Sequence, residues 1–405
     1  MNNFERFQRT LLVILIAIGC FYGGYYFGNS GYVFQLRKNP IPIEIKNKTA
    51  LNTTVDFQLF WDVWNDVTNT YLERPVDPQK MMYGAIQGMV ASLGDPYTSF
   101  LPPKVNEAVN GDLNGEYKGI GAELGMKDGI LIIAAPMEGS PAKAAGLKAG
   151  DYILSINDES TAGISISEAV SKIRGEAGTA VTLKVQTDKN DPREVKITRG
   201  TINVPSITWE DKGDGVAYIK LSRFGDDTNT EWSKIVSEIN IKMKDLDSVI
   251  LDVRGNPGGY LTAAVYIGEE FFRDKPVLYE ESDMGKQTPS MAKRVGVFQK
   301  LPAVYVLIDE GSASASEIIA AALHDNIGAV LIGNKSFGKG TIQTAKDYED
   351  GSGVHITIAK WLTPKKEWVH KKGIEPDIKV DRTDDDFNNN RDPQLDKALE
   401  LAKQI

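Results

Sequence analysis

A single cysteine, Cys20, and three histidines, His324, His355 and His370, stand in 405 residues. One thiol excludes an intrachain disulfide and leaves no cysteine pair for metal or redox chemistry. No grouping of His, Cys and acidic residues has metal-ligand spacing, so neither a metal nor any other cofactor is expected. Dense Lys/Arg tracts are absent as well. With a formal net charge of −9, the chain lacks the concentrated basic surface that phosphate backbones require, and nucleic acid is not expected as a partner. What is present is apolar material. A hydrophobic share of 41% beside 25% charged residues suffices for two or three packed cores and predicts a multi-domain globular protein.

The longest apolar stretch, "LLVILIAIGCFYGGYYFG" over residues 11–28, follows Arg6 and Arg9. Length and flanking charge predict a single membrane span, with residues 1–10 in the cytoplasm and the bulk of the chain outside. Two other readings stay open: a cleaved secretory signal, because the strictly aliphatic run is short, and a lipid-modified Cys20, because "AIGC" resembles a lipoprotein cleavage site. Residues 29–54 mix Gly, Pro, Asn and Lys without periodicity and read as a linker. Phe57, Phe60, Trp61, Trp64, Val67 and Tyr71 then recur at helical spacing, and "DPQKMMYGAIQGMVASLG" supplies a second helix ending at Gly94. Residues 55–111 are thus expected to be helical, with their apolar stripe as packing surface.

From residue 112 to 200 the texture changes to short alternating strands with two short helices, "SPAKAAG" and "SISEAVSKIRG". This stretch resembles a PDZ domain, through "GIGAEL" and "SPAKAAGLKAGDYILSIN". Gly119 and Gly121, with Ile120 and Ala122, let successive backbone N–H groups face one concavity suited to a peptide carboxylate. A neighbouring edge strand there accepts an extended tail. Residues 201–380 alternate longer strands and helices, which predicts an α/β core. Residues 381–405 read as a polar loop followed by a closing amphipathic helix.

Within the core, "DEGSASASEIIAAALHDN" places Ser312, Ser314 and Ser316 on a strand-to-helix turn. A hydroxyl there is held on a sharp turn beside helix N-terminal N–H groups, which suits a nucleophile, while serines at helix starts are also ordinary caps. A nucleophile needs a base. His324 lies about 15 Å along the same helix, too far to serve, and His355 and His370 have no favouring context. In "GNKSFGKGTIQT", Lys339 sits between Gly338 and Gly340, whose lack of side chains lets the backbone approach another element and carry the amine into a poorly hydrated site. The Walker spacing that would make "GKG" a phosphate loop is absent.

Taken together, "GSASASEIIAAALHD", "KSFGKGTIQT", "DPYTSFL", "LDVRGNPGGYL", "GIEPDI" and "DPQLDKALELA" resemble the carboxy-terminal processing peptidases, or tail-specific proteases, over roughly residues 55 to 400. The resemblance implies a serine endopeptidase with a Ser-Lys mechanism. Ser314 falls on the nucleophile, Lys339 on the general base and Gln343 on the residue that orients it. Backbone N–H groups of Ala315 and of Gly258 or Gly259 fall on the oxyanion donors, and Glu317 and Asp325 on supporting acidic groups. It further implies protein substrates with free, hydrophobic carboxy-termini captured and gated by the PDZ domain, a homodimer, and roles ranging from maturation of secreted proteins to sporulation signalling. A Lys-rich stretch, "TPKKEWVHKKGIEPDI", departs from the family's glycine turn and is expected to leave catalysis untouched. The rivals are a PDZ scaffold with an inactive core and a hydrolase or acyltransferase with histidine as base, which would want "GxSxG" around its nucleophile.

Overall fold

A computed structural model describes residues 3–29, 32–36, 43–47 and 56–404, apart from 128, 138, 165, 188–189, 384, 387–388 and 390. The chain divides into two units, residues 1–81 and 82–405.

In the first unit, residues 11–28 lie within one helix, Asn3–Asn29. Among the described residues no helix is long and apolar enough to cross a membrane, so the expected span is not supported. The strictly aliphatic run stops at Ile18, and Gly23, Gly24 and three tyrosines follow. Within the stretch expected as a linker, residues 29–54, the described parts pair antiparallel, Tyr32–Leu36 with Ile43–Asn47. In the helix Gln58–Thr70 the predicted apolar stripe buries none of its residues; Phe60 and Trp61 are exposed.

The second unit begins within the helix Pro78–Ala91. "TSFL" lies beyond this helix. Ser99–Leu101 is a strand that pairs antiparallel with His355–Gly353, and Phe100 is buried opposite Val354. The β-rich module follows. Its strands lie in the order Arg193–Thr198, Ala180–Gln186, Tyr152–Ile156, Ile130–Pro136 and Ala122–Lys127. They close over a core of Leu131, Ile133, Ile153 and Leu183 with two helices, Pro141–Ala144 and Ile166–Ile173. Its entry and exit run side by side as the antiparallel pair Glu116–Gly119 and Gly200–Asn203.

The α/β core has the strand order Ile207–Asp211, Val216–Leu221, Ser248–Asp252, Ala303–Ile308, Val330–Gly333 and Ile378–Lys379, parallel after the first pair. Helices Thr228–Lys242, Leu261–Gly268 and Ala315–Ile327 pack on one face with Trp232, Phe271 and Ile319. The terminal helix Pro393–Ala402 packs on the other face over Tyr218, Ile250 and Leu307. Strands buried on both sides explain the near-continuous apolar runs "SVILD" and "AVYVLI". A second sheet, ordered Gln287–Met291, Pro276–Glu281, Gly353–Leu362 and Thr341–Asp347, brings a long hairpin to the carboxyl ends of the parallel strands.

Candidate active site

The strand Ala303–Ile308 leads into the helix Ala315–Ile327, so the three serines fall at the carboxyl end of a parallel strand, where open α/β sheets hold their sites. Hydrogen bonding sorts them. Ser312 is fully buried, and its hydroxyl donates to the Val253 carbonyl at 2.8 Å while accepting the Asp309 N–H at 3.0 Å. Ser316 is equally buried and donates to the Asn256 carbonyl at 2.9 Å. Both tie the serine turn to the "VRGNPGG" turn. Ser314 is the one that lines a cleft. Its φ of 55° and ψ of −114° put a non-glycine residue in sparsely populated backbone territory.

That conformation is held by Glu317, whose buried carboxylate accepts the Ser314 N–H at 2.9 Å. The same carboxylate takes three donors from another loop: the Ser336 hydroxyl at 2.6 Å, the Gly338 N–H at 2.7 Å and the Lys339 N–H at 2.9 Å. One side chain therefore locks the serine turn to the Gly338–Lys339–Gly340 loop.

The flanking glycines allow the close approach expected of them. A Cβ on Gly338 would stand 2.8 Å from the Gly373 nitrogen, and one on Gly340 would stand 2.7 Å from Trp368 Nε1. The Trp361 and Trp368 indoles donate to the carbonyls of Lys339 and Gly340, each at 2.8 Å. The Lys371 N–H donates to Gly338 at 2.8 Å. The Lys-rich stretch, expected to leave catalysis untouched, forms one wall of the lysine loop through Trp368 and backbone N–H groups.

Lys339 Nζ lies 5.2 Å from the centroid of the Tyr97 ring. Burial lowers the Lys339 pKa below the ordinary amine value, against the weaker opposing pull of Asp95 and Glu317. Ser314, Lys339 and Gln343 line the same cleft, with a volume of about 410 Å³. Among the described residues no hydrogen bond joins Lys339 Nζ to the Ser314 hydroxyl. The Gln343 carboxamide instead donates to the hydroxyls of Thr341 at 2.8 Å and Thr357 at 3.2 Å. His355 also lines the cleft, His370 stacks on Trp368, and His324 contacts Asp325 and Asp377 away from it.

The "NPGG" turn packs against Ser314. A Cβ on Gly258 would stand 2.8 Å from the Ser314 Cβ and 3.0 Å from the Ala315 nitrogen. Gly258 donates its own N–H to Asn256 Oδ1 at 2.9 Å. Among the described residues the N–H groups of Ala315 and Gly259 meet no acceptor, which leaves Gly259 as the available glycine donor.

Sequence reasoning passed over Arg254. Its guanidinium pairs with Asp252 at 2.7 Å and with Asp392 at 2.8 Å, and donates to Gln394 at 2.8 Å, joining the start of the "RGNPGG" turn to the terminal helix. The charged residues of "LDVRGN" and "DPQL" carried the signal. In the β-rich module, Gly119, Ile120, Gly121 and Ala122 all line a pocket of about 140 Å³, closed on its far side by Val170, Ile173 and Arg174.

A small sheet with a strand-and-helix pocket, joined in one chain to a parallel α/β core whose cleft holds a hydroxyl and a desolvated amine, defines a hydrolytic core fused to a peptide-binding module. Comparison with known proteins narrows this class. Residues 215–380 match peptidase family S41, residues 132–187 a PDZ domain, and residues 14–104 the activating protease CtpB N-terminal domain. The chain is 39% identical over 323 residues to the carboxy-terminal processing protease CtpB of Bacillus subtilis (strain 168), covering 78% of this chain and 66% of that protein. It is 36% identical over 338 residues to the carboxy-terminal processing protease CtpA of the same organism, covering 83% and 72%. Among solved structures, the photosystem II D1 C-terminal processing protease aligns with a TM-score of 0.50 at 26% identity, over 80% of this chain and 87% of that one. The chain thus spans about two thirds of the length of the curated relatives it matches. It belongs to the carboxy-terminal processing proteases, serine proteases of peptidase family S41 with a PDZ domain.

Proposed function

We propose that this chain is a serine endopeptidase that captures the carboxy-terminal tails of protein substrates in its PDZ pocket and cleaves them with Ser314 as nucleophile and Lys339 as general base. The observation that carries the reading is the sorting of the three serines. Two hydroxyls are buried in structural bonds, and the third sits strained in a cleft shared with an amine whose charge is disfavoured by burial.

In this mechanism neutral Lys339 accepts the Ser314 hydroxyl proton as Oγ attacks the scissile carbonyl carbon. The carbonyl oxygen becomes an oxyanion received by the N–H groups of Ala315 and Gly259. Collapse breaks the C–N bond, and the lysine ammonium returns its proton to the leaving amine. Water, deprotonated by the same lysine, then hydrolyses the acyl-enzyme and regenerates the Ser314 hydroxyl. Gln343 orients Lys339 once the hairpin that carries it tightens on substrate. The PDZ pocket favours hydrophobic terminal side chains, since Ile120, Val170 and Ile173 line it beside the backbone of the Gly119–Ala122 loop. Action outside the cytoplasm belongs to the same proposal and rests on Arg6 and Arg9 before the apolar stretch. Digestion of the chain by added protease on intact cells checks that point.

Ser314→Ala tests the chemistry. Cleavage of a peptide with a free hydrophobic carboxy-terminus is expected to vanish while the variant binds that peptide with unchanged affinity. Equal cleavage by wild type and variant would overturn the assignment.

A further inference from the structure

Beyond the strand Val216–Leu221 the chain stays extended through Phe224 and runs beside the "NPGG" turn. The Phe224 N–H donates to the Gly258 carbonyl at 2.9 Å, and the Tyr260 N–H donates back to the Phe224 carbonyl at 2.8 Å. Alternation along an extended segment sends neighbouring side chains to opposite faces. Phe224 enters the core with no exposure, and Arg223 lines the cleft that holds Ser314 and Lys339.

The guanidinium is half-buried there. It fills the space over Gly115, where an added Cβ would stand 1.7 Å from Nη2. Its Nε is buried without a hydrogen-bond partner, and among the described residues no carboxylate lies within ion-pair distance of it. Asp227 and Glu231 act on it only from longer range, too weakly to offset the burial that lowers its pKa. Glu231 already accepts the N–H and hydroxyl of Ser206.

The other charges in the cleft do not supply the missing partner. Asp112 is turned to Arg174, 3.5 Å away. Lys339 has the same sign when charged, and His355 is pushed toward its neutral form by burial and by Lys339. A desolvated guanidinium facing a substrate cleft without a counter-ion favours any substrate that brings a carboxylate, whose two oxygens match the guanidinium fork.

We propose that Arg223 is a specificity-determining residue that binds a substrate carboxylate in the cleft it shares with Ser314 and Lys339. This rests on the Ser314/Lys339 reading of the cleft. The carboxylate belongs either to an acidic side chain or to the free end of a short tail bound directly in the cleft.

The test uses the full chain and peptides that differ in one group: Glu or Gln at positions flanking the cleaved bond, each with a free or an amidated carboxy-terminus. Wild type is expected to show a kcat/KM ratio of about tenfold or more for Glu over Gln in amidated peptides, or for free acid over amide in short ones. Arg223→Gln brings that ratio to near one, and Arg223→Lys keeps part of it. A free-acid preference that survives in Arg223→Gln belongs to the PDZ pocket. Binding of the amidated Glu and Gln peptides to the Ser314→Ala variant reads the same preference without turnover. If no peptide is cleaved, the Ser-Lys reading fails, and the binding ratio still decides Arg223. Equal ratios in wild type and Arg223→Gln, in both cleavage and binding, overturn the proposal.

Discussion

The two walls of the cleft are built differently. On the serine wall, Ser312, Ser316 and Glu317 have no solvent exposure, and each bonds to a segment distant in sequence. On the opposite wall, Gln343 sits on a hairpin strand with a register shift between Ile342 and Gln343, and the strand's outer half, from Thr344 to Asp347, is exposed. Four donor groups bonded to one buried carboxylate fix the first wall, whereas the second rests on a ladder that bends at Gln343. On the proposed mechanism, the nucleophile Ser314 is thus preorganised while Gln343, proposed to orient the base, is left adjustable, a division suited to an enzyme that assembles fully only around substrate.

Removing the lock tests this contrast most severely. Glu317→Ala leaves three backbone N–H groups and the Ser336 hydroxyl buried without their acceptor, each costing about 1–3 kcal/mol. A large fall in Tm is expected, together with a loss of kcat/KM of about a hundredfold or more. The conservative Glu317→Gln is expected to lose activity as well, because its amide would point N–H toward N–H. Calorimetry and peptide cleavage, run side by side, check both. Full activity in a stable Glu317→Ala variant would show that the serine wall does not depend on this carboxylate.

Next in size is the environment of the lysine. Tyr97 covers Nζ, and among the described residues Asp95, Glu317 and His355 are the titratable groups that interact with it. Lys339 as the proposed base works when neutral, so on that reading activity rises with pH through its folded pKa. Tyr97→Ala admits water, stabilises the ammonium and raises that pKa. The ring's cation–π attraction acts in the opposite sense, but at about 0.5–2 kcal/mol it is smaller than the cost of burying the charge. The ascending limb of the kcat/KM profile is therefore expected to move about one pH unit upward, a loss of about tenfold at neutral pH that alkaline buffer restores. A limb that stays in place would mean that desolvation of Lys339 comes from elsewhere.

How far the sequence reaches follows from the same two walls. Glycines around Lys339 announce close approach, and an apolar strand running into an alanine-rich helix announces the serine turn. Both signals are local. What approaches those glycines is not local: Trp368 and the backbone of Lys371 come from a stretch whose lysines draw attention away from the contact. Glu317 reads as a helix-start acid, and nothing in its surroundings reveals that three of its four donors lie on the lysine loop, 19 to 22 residues away. The same limit hid the strand Ser99–Leu101, whose partner is about 250 residues further on. Local chemistry survives in sequence, while long-range pairing has to be built.

The smallest expected effect falls on the adjustable wall. In the structure the Gln343 amide donates to Thr341 and Thr357, with no bond to Lys339. If the hairpin tightens on substrate so that the carboxamide reaches the lysine, Gln343→Ala removes an interaction made only in the productive complex. Then kcat falls by several-fold to about tenfold while KM and Tm stay near wild type, as expected for lost alignment rather than lost binding or folding. A Thr357→Val variant sharpens the reading by removing one competing acceptor. Freed of it, Gln343 should swing toward Lys339 more readily, so kcat should hold or rise. A fall in kcat for Thr357→Val equal to that for Gln343→Ala would show that the amide serves the hairpin ladder alone, and that both walls of the cleft are equally preformed.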